Sequence, residues 1–335
     1  MKFNVGIIGC GSITRLRHAP EYRDNPHVQD IIFYDRSIER AEKLAKEFGG
    51  RAVKTLEELL HDPSIIAISD CSSNESHHIN TTRALLSGKH VLCEKPIAIS
   101  VKYAEEMAEA ERKSGKILMI DHNQRFTAAH QKAKELIEKQ ELGEVLTFKT
   151  TFGHEGPENW GITKSNATWF FKKDRSYSGV IGDLGIHKID LIHWLLNDEI
   201  EEVHGFYGAL DKVDENGKSI EVPDNAVCAL KTKKGRLGTA SFSWTYYGEE
   251  DNSTTIYCRE GILKIYHQGS PLLLEKRDGT VLKFELENIQ TNDNQTSTGI
   301  IDAFIDCIVN EKESPISSSE AIASLKVVEK LLNIS

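Results

Sequence analysis

The sequence predicts an α/β protein of two parts: a doubly wound parallel sheet first, then an α+β domain built on a large open, mostly antiparallel sheet. Three observations carry that prediction. A glycine turn, Gly9-Cys10-Gly11, directly follows an N-terminal apolar run. Apolar strand-like and amphipathic helix-like segments alternate as far as Asp121. Beyond Leu196 the rhythm changes to strand after strand, punctuated by glycine turns.

In the first 121 residues, Phe3 to Ile8 reads as the opening strand, and a helix after the glycine turn is expected to end or kink at Pro20. Val28 to Tyr34 is the second strand. Ser37 is placed to cap the next helix, which shows Ala41, Leu44, Ala45 and Phe48 on one face and stops at Gly49. A brief strand at Ala52-Val53 precedes a helix opened by a Thr55/Glu58 capping box. Then follow a strand at Ile65 to Ser69, a helix from Ser76 to Ser87, a strand at His90 to Cys93, a helix capped by Ser100, and a strand at Ile117 to Asp121. Such repetition predicts a parallel sheet covered on both faces.

Residues 122–335 form the second domain, with closing helices near Ile300 to Val309 and Ser319 to Leu332 that can pack back on the first. A helix at Ala129 to Lys139 leads to a strand at Val145 to Phe152, and another helix spans Asp183 to Leu196. Strands are expected at Val203 to Leu210, Ala226 to Thr232, Arg236 to Tyr246, Thr254 to Arg259, Ile262 to Tyr266, Leu272 to Lys276 and Val281 to Glu285. Lys234-Gly235, Glu260-Gly261 and Asp278-Gly279 supply hairpin turns. Thr291 to Thr298 reads as a loop. Phe206, Leu230, Phe242, Trp244 and Tyr246 suggest an apolar sheet face that either a second copy or the chain's own helices must cover.

Composition narrows the function. The 335 residues carry a net charge of −10 with no long run of one sign, which disfavours nucleic acid as a partner. The N-terminal apolar run is short for a signal peptide, and no eighteen-residue apolar stretch suits a membrane. Six scattered cysteines without a CxxC pair suit reduced thiols, so a cytoplasmic location is expected. His18, His77, His78 and His122 fit no metal-ligand spacing, and no metal is expected.

The glycine turn has the form that cradles a pyrophosphate. One glycine allows the tight turn, a second lets backbone approach the phosphates, and the helix start at Ser12 and Ile13 offers free N–H groups. Thr14 departs from the Gly or Ala usual at the third position. Asp35, 26 residues after Gly9 at the end of the second strand, is placed for adenosine ribose hydroxyls. Its charge favours NAD over NADP, whereas Arg36 is suited to adenine or to a 2′-phosphate, so NADP stays possible.

Four motifs then resemble the glucose–fructose oxidoreductase, inositol dehydrogenase and rhizopine-catabolism (Gfo/Idh/MocA) family. They are Gly6 to Thr14, Ser72-Ser73-Asn74 with His77, Gly88 to Pro96 ending in Glu94-Lys95-Pro96, and Asp183-Leu-Gly-Ile-His187. The resemblance implies a Rossmann domain plus a domain whose open sheet commonly makes dimers or tetramers. It implies that Lys95 touches the reacting oxygen and that Asp183 and His187 are the family's Asp-x-x-x-His pair. It also implies that Ser72, Asn74, His77, Glu94, Lys95, Asn123 and Arg125 serve the cofactor. Where the family usually has Thr-Pro-Asn, Ser72-Ser73-Asn74 lacks the proline, so a less rigid loop is expected.

Hydride transfer from an alcohol requires a base for the hydroxyl proton and a positive group beside the developing alkoxide. At helical spacing Asp183 would orient His187, and Lys95 would polarise the carbon–oxygen bond. Asp190 and His193 recur on the same segment in a supporting role. His154, Glu155 and Trp160 lie in a polar loop suited to contact a sugar, and Trp169-Phe170-Phe171 suits the core or a subunit contact. The expected activity is an NAD(P)-dependent dehydrogenase acting on a sugar, sugar derivative or inositol-like polyol. Two other readings stay open, a glycoside hydrolase using NAD transiently and a sensor without chemistry.

Overall fold

The computed structural model describes residues 2–161, 164–289 and 297–333. Most of the loop expected at 291–298 therefore lies outside the described residues. The chain divides into two compact units. The first comprises the described residues of 1–122, 160–162 and 291–322, the second those of 123–159, 163–290 and 323–335.

The first unit is built on β1 (Phe3–Ile8), β2 (Val28–Tyr34), β3 (Arg51–Ala52), β4 (Ile65–Asp70), β5 (His90–Cys93) and β6 (Leu118–Ile120). All pairs are parallel and the order is β3-β2-β1-β4-β5-β6. Strand order reverses between β1 and β4, which is where open α/β sheets bind ligands, outside the carboxyl ends. Val5, Ile7, Ile32, Phe33, Ile68, Val91, Leu92 and Met119 are fully buried, as a sheet covered on both faces requires. The covering helices include α1 (Ala19–Asp24), α2 (Ile38–Phe48), α3 (Leu56–His61), α4 (Asn74–Leu86) and α5 (Val101–Ser114).

Local details depart from expectation. Pro20 does not end a helix. A π turn over Thr14–His18 runs straight into α1, so the helical stretch continues past Pro20, with the regular hydrogen-bond ladder interrupted in the turn before it. Ser37 stands at the N-cap of α2 without a side-chain cap bond; its hydroxyl donates to Glu39 instead, at 2.7 Å. Thr55 accepts from Glu58 N at 3.2 Å, but the Glu58 carboxylate reaches back one residue further, to Lys54 N.

The second unit holds β7 (Val145–Gly153), β8 (Ile200–Gly208), β9 (Asn225–Thr232), β10 (Leu237–Ser243), β11 (Thr254–Cys258), β12 (Gly261–His267), β13 (Ser270–Lys276) and β14 (Val281–Phe284). Their order is β14-β13-β12-β11-β7-β10-β9-β8. Every described pair is antiparallel except β7 with β10. With α6 (Ala128–Glu138) and α7 (Lys173–Ser176), the unit also contains α8 (Ile186–Leu196). The remaining helices are α9 (Ile300–Val309) in the first unit and α10 (Ser318–Leu332), whose residues divide between the two.

The apolar face inferred for this sheet resolves into two faces. Leu230, Phe242 and Trp244 are buried within the chain, whereas Phe206 is 90% exposed. Period-two alternation along β9 explains the division: Ala226, Cys228 and Leu230 point inward, and Val227, Ala229 and Lys231 outward. The open face carries a shallow groove of ≈ 620 Å³ lined by His204, Phe206, Tyr207, Val227, Ala229 and Thr239.

Candidate active site

In the first unit, the predicted cofactor residues follow four strand ends of one sheet edge. Gly9 to Ile13 follow β1, Asp35 and Arg36 follow β2, Ser72 and Asn74 follow β4, and Glu94 and Lys95 follow β5. Gly9 has φ +92°, and a Cβ there would stand 2.6 Å from the Cys71 carbonyl oxygen, so only glycine fits. At Gly11 a Cβ would meet nothing within 4 Å, so its backbone faces open space, as a phosphate cradle needs. Thr14, the departure from the usual third glycine, is fully buried and donates its hydroxyl to Gly9 O at 2.6 Å, closing the turn. Asp35 is held on both oxygens, accepting from Cys10 N at 2.8 Å and Ser37 N at 2.9 Å. These residues fit a dinucleotide.

Side-chain hydrogen bonds tie down the loop after β4, where the family's proline is missing. Asp70, wholly buried, accepts from Ser72 N, from Ser72 Oγ at 2.6 Å and from Thr81 Oγ1. Burial raises the Asp70 pKa, an effect His77 partly offsets. His77 engages Pro96 O at 2.8 Å through Nδ1 and Ser72 O at 3.0 Å through Nε2. It thereby ties this loop to the Lys95–Pro96 turn, whose peptide bond is cis. Asn74 is buried at the start of α4.

Beneath Lys95 lies a buried ionic cluster. Arg17 Nη2 donates to Glu94 Oε1 and Asp121 Oδ2, both at 2.5 Å, and His18 Nε2 stands 3.0 Å from Glu94 Oε1. Glu94 also accepts from Lys95 N at 3.2 Å. Burial opposes ionisation of Glu94, but Arg17 and His18 outweigh it and pull its pKa down. In Asp121 burial wins, reinforced by Glu94 and Glu21, and the pKa rises. Two acids sharing one guanidinium titrate apart in this way. His18, Glu94 and Asp121 are grouped closely enough to ligate a metal. The Arg17 guanidinium stands at the two carboxylates that would do so.

In the second unit, Asp183 lies in a π turn over Ile181–Gly185 that leads into α8, and His187 is the second residue of that helix. The Ile186 N–H bonds to Ile181 O. The regular helical spacing expected between Asp183 and His187 is thus replaced by a bulge, a feature frequent at functional sites. Asp183 Oδ2 accepts the indole N–H of Trp244 at 3.0 Å. Phe152 ties two histidines together: its ring centroid is 5.9 Å from that of His187 and 5.9 Å from that of His154. His154 is buried, and its Nδ1 accepts from Gly156 N. Asn123 and Arg125 sit in a 3₁₀ turn, and Arg125 pairs with Asp190. Trp160 is half-buried and groups with the first unit.

Three features escaped the sequence reading. Lys188, beside His187, is fully buried, donates to Asn252 O at 2.8 Å and lies over the Phe152 ring. Burial drives its pKa down to about 7. The Arg17 cluster joins residues far apart in sequence. Trp244 was assigned to packing alone. For Lys188 the signal was present, a lone lysine in the apolar run Ile186 to Leu196.

Comparisons with known proteins agree with this fold. Residues 3–122 match the oxidoreductase family with an NAD-binding Rossmann fold, and residues 130–264 match the GFO/IDH/MocA C-terminal domain. The myo-inositol 2-dehydrogenase of Thermotoga maritima is 31% identical over 70% of this chain and 66% of its own length. The glucose-6-phosphate 3-dehydrogenase of Bacillus subtilis is 34% identical over 58% of this chain and 54% of its own. These alignments thus span less than two thirds of either relative. A levoglucosan dehydrogenase structure with NADH and levoglucosan superposes with a TM-score of 0.88 over 100% of this chain and 97% of that one, at 20% identity, a likeness of fold. Matched by family models across both its parallel-sheet and its open-sheet portions, the chain belongs to the Gfo/Idh/MocA family of oxidoreductases with an NAD-binding Rossmann fold.

Proposed function

We propose that this protein is an NAD(P)-dependent dehydrogenase acting on a hydroxyl-bearing carbon of a sugar, sugar derivative or inositol-like polyol. The observation that carries the reading is the sharing of one sheet edge by the Gly9 turn, Asp35 and Lys95. The dehydrogenases among its relatives support it. NAD is the preferred cofactor, because Asp35 presents an acid that repels a 2′-phosphate; Arg36 lets NADP serve as the poorer one.

A bound nicotinamide supplies the hydride acceptor. Lys95 donates to the substrate oxygen and stabilises the charge that develops there. His187 takes the hydroxyl proton, and Asp183 fixes the acid–base environment of that step. Asn123 and Arg125 shape the nicotinamide side, while Ser72, Asn74, His77 and Glu94 hold the loops against which the dinucleotide lies. His154 and Trp160 contact the sugar.

The open sheet face, with Phe206, Val227 and Leu237 exposed, is the surface through which a homodimer or homotetramer forms. No described helix is long and apolar enough to cross a membrane. The six free thiols suit a reducing cytoplasm.

The test offers NAD⁺ and NADP⁺ separately with cyclitols, aldoses, anhydrosugars and sugar acids. Reduction of NAD⁺ by one of these classes is expected. Retained dinucleotide without net reduction on any compound would contradict the reading.

A further inference from the structure

We propose that Trp244 is a positioning residue for catalysis, aiming the Asp183 carboxylate through its indole N–H; the inference rests on the dehydrogenase reading above. Trp244 is the first residue beyond β10. Its backbone N–H donates to Asp224 O at 2.8 Å, which fixes the base of the side chain. The side chain is completely buried. An indole carries one donor and no acceptor, and a buried donor left unmatched is destabilising. That donor is directed at Asp183 Oδ2.

The surroundings keep it there. The Phe171 ring lies 5.9 Å from the indole and tilted, and the Phe170 ring meets it edge-on at 6.3 Å. Two residues earlier on the same strand face, Phe242 lies against the π turn that bears Asp183. A Cβ on Gly185 would come within 2.9 Å of that ring. Phe242 therefore sets how closely the turn approaches β10, and Trp244 sets the direction of the carboxylate on it. The π turn takes Asp183 off regular helical spacing, and there the indole N–H holds its Oδ2. An indole gives direction without adding charge. A lysine or arginine at this place would neutralise the acid.

The test compares Trp244→Phe with the wild type, using NAD⁺ and the best substrate found. Phenylalanine retains an aromatic ring and removes the N–H. The expected result is a fall in kcat of about 10- to 100-fold with KM changed less than about threefold, since misplacing one group in a catalytic set costs on that order. Because Trp244 acts through Asp183, Trp244→Phe has no further effect on kcat in an Asp183→Ala background. Unchanged kcat in the single variant, or an equal loss in both backgrounds, would overturn the proposal. A wild type without turnover would overturn the dehydrogenase reading and this role with it. Should Trp244→Phe fail to fold, indole-¹⁵N spectra of the full chain decide. Of the four indole signals, one per tryptophan, that of Trp244 shifts in Asp183→Asn; if it stays in place, the contact is refuted.

Discussion

Arg125 and Asp190 form a two-pronged buried ion pair, Nε to Oδ2 at 2.8 Å and Nη2 to Oδ1 at 2.6 Å. Both side chains are almost fully excluded from solvent. The pair fastens the 3₁₀ turn holding Asn123 to the helix holding His187. Removing one partner leaves the other charge buried alone, which costs about 3–5 kcal/mol. Asp190→Ala is therefore expected to lower unfolding stability by that amount, measured by urea denaturation. A loss under about 1 kcal/mol, typical of surface pairs, would contradict the buried-pair account.

A second prediction concerns His193, whose pKa burial lowers to about 4, against the pull of Asp190 and Glu199. Its Nε2 accepts from Ile200 N at 2.9 Å, a bond only the unprotonated nitrogen can make. Between pH 6.5 and about 4 the unfolded chain takes up a proton that the folded ring refuses. The stability contributed by this group is complete above pH 6.5 and declines through that window. Urea midpoints measured from pH 7 to 4.5 should fall more steeply for the wild type than for His193→Gln. Parallel slopes would refute the assignment.

Lys188 gives a dependence of the same sign in a higher pH window. With a folded pKa of about 7 and an ordinary value of 10.5, it binds fewer protons folded than unfolded across that interval. Its contribution to stability therefore rises with pH from 7 toward 10. Lys188→Met should remove this rise, and at pH 7 it should be no less stable than the wild type despite losing the bond to Asn252 O. An identical rise in the variant would show that the lysine is not the titrating group.

On the proposed function, cofactor choice depends on Asp35. Its bonds to Cys10 N and Ser37 N hold the carboxylate at the end of β2. Asp35→Ser should weaken NAD⁺ binding by about 10- to 100-fold, the worth of charged hydrogen bonds, while relieving repulsion of NADP⁺. Dissociation constants for both dinucleotides, measured by fluorescence titration, would test this. Unchanged preference would remove Asp35 from the ribose site.

The parallel sheet could be read from the sequence because each strand and helix announces itself locally, by an apolar run and a turn residue. His90 to Cys93 was legible to the residue. The parallel pairing of β7 with β10 was not, because it joins strands far apart in sequence. The same limit hid the ionic cluster of Arg17, Glu94 and Asp121, since nothing local says that three distant charges share one buried spot. Trp244 was misread for another reason. Alternation gave its burial correctly, but the indole N–H has meaning only once Asp183 is opposite. At Ser72 the sequence showed a missing proline, but the hydrogen bonds that Asp70 and His77 make to this loop come from residues whose placement only the fold reveals.

The most direct test of the central claim is the rate of NADH formation by Lys95→Ala against wild type on the same polyol or sugar, with NAD⁺ binding measured in both. If Lys95 meets the developing alkoxide as proposed, its loss should cut kcat by about 10²–10⁴-fold while leaving the dinucleotide bound. A variant that turns over at the wild-type rate would show that the chemistry lies elsewhere.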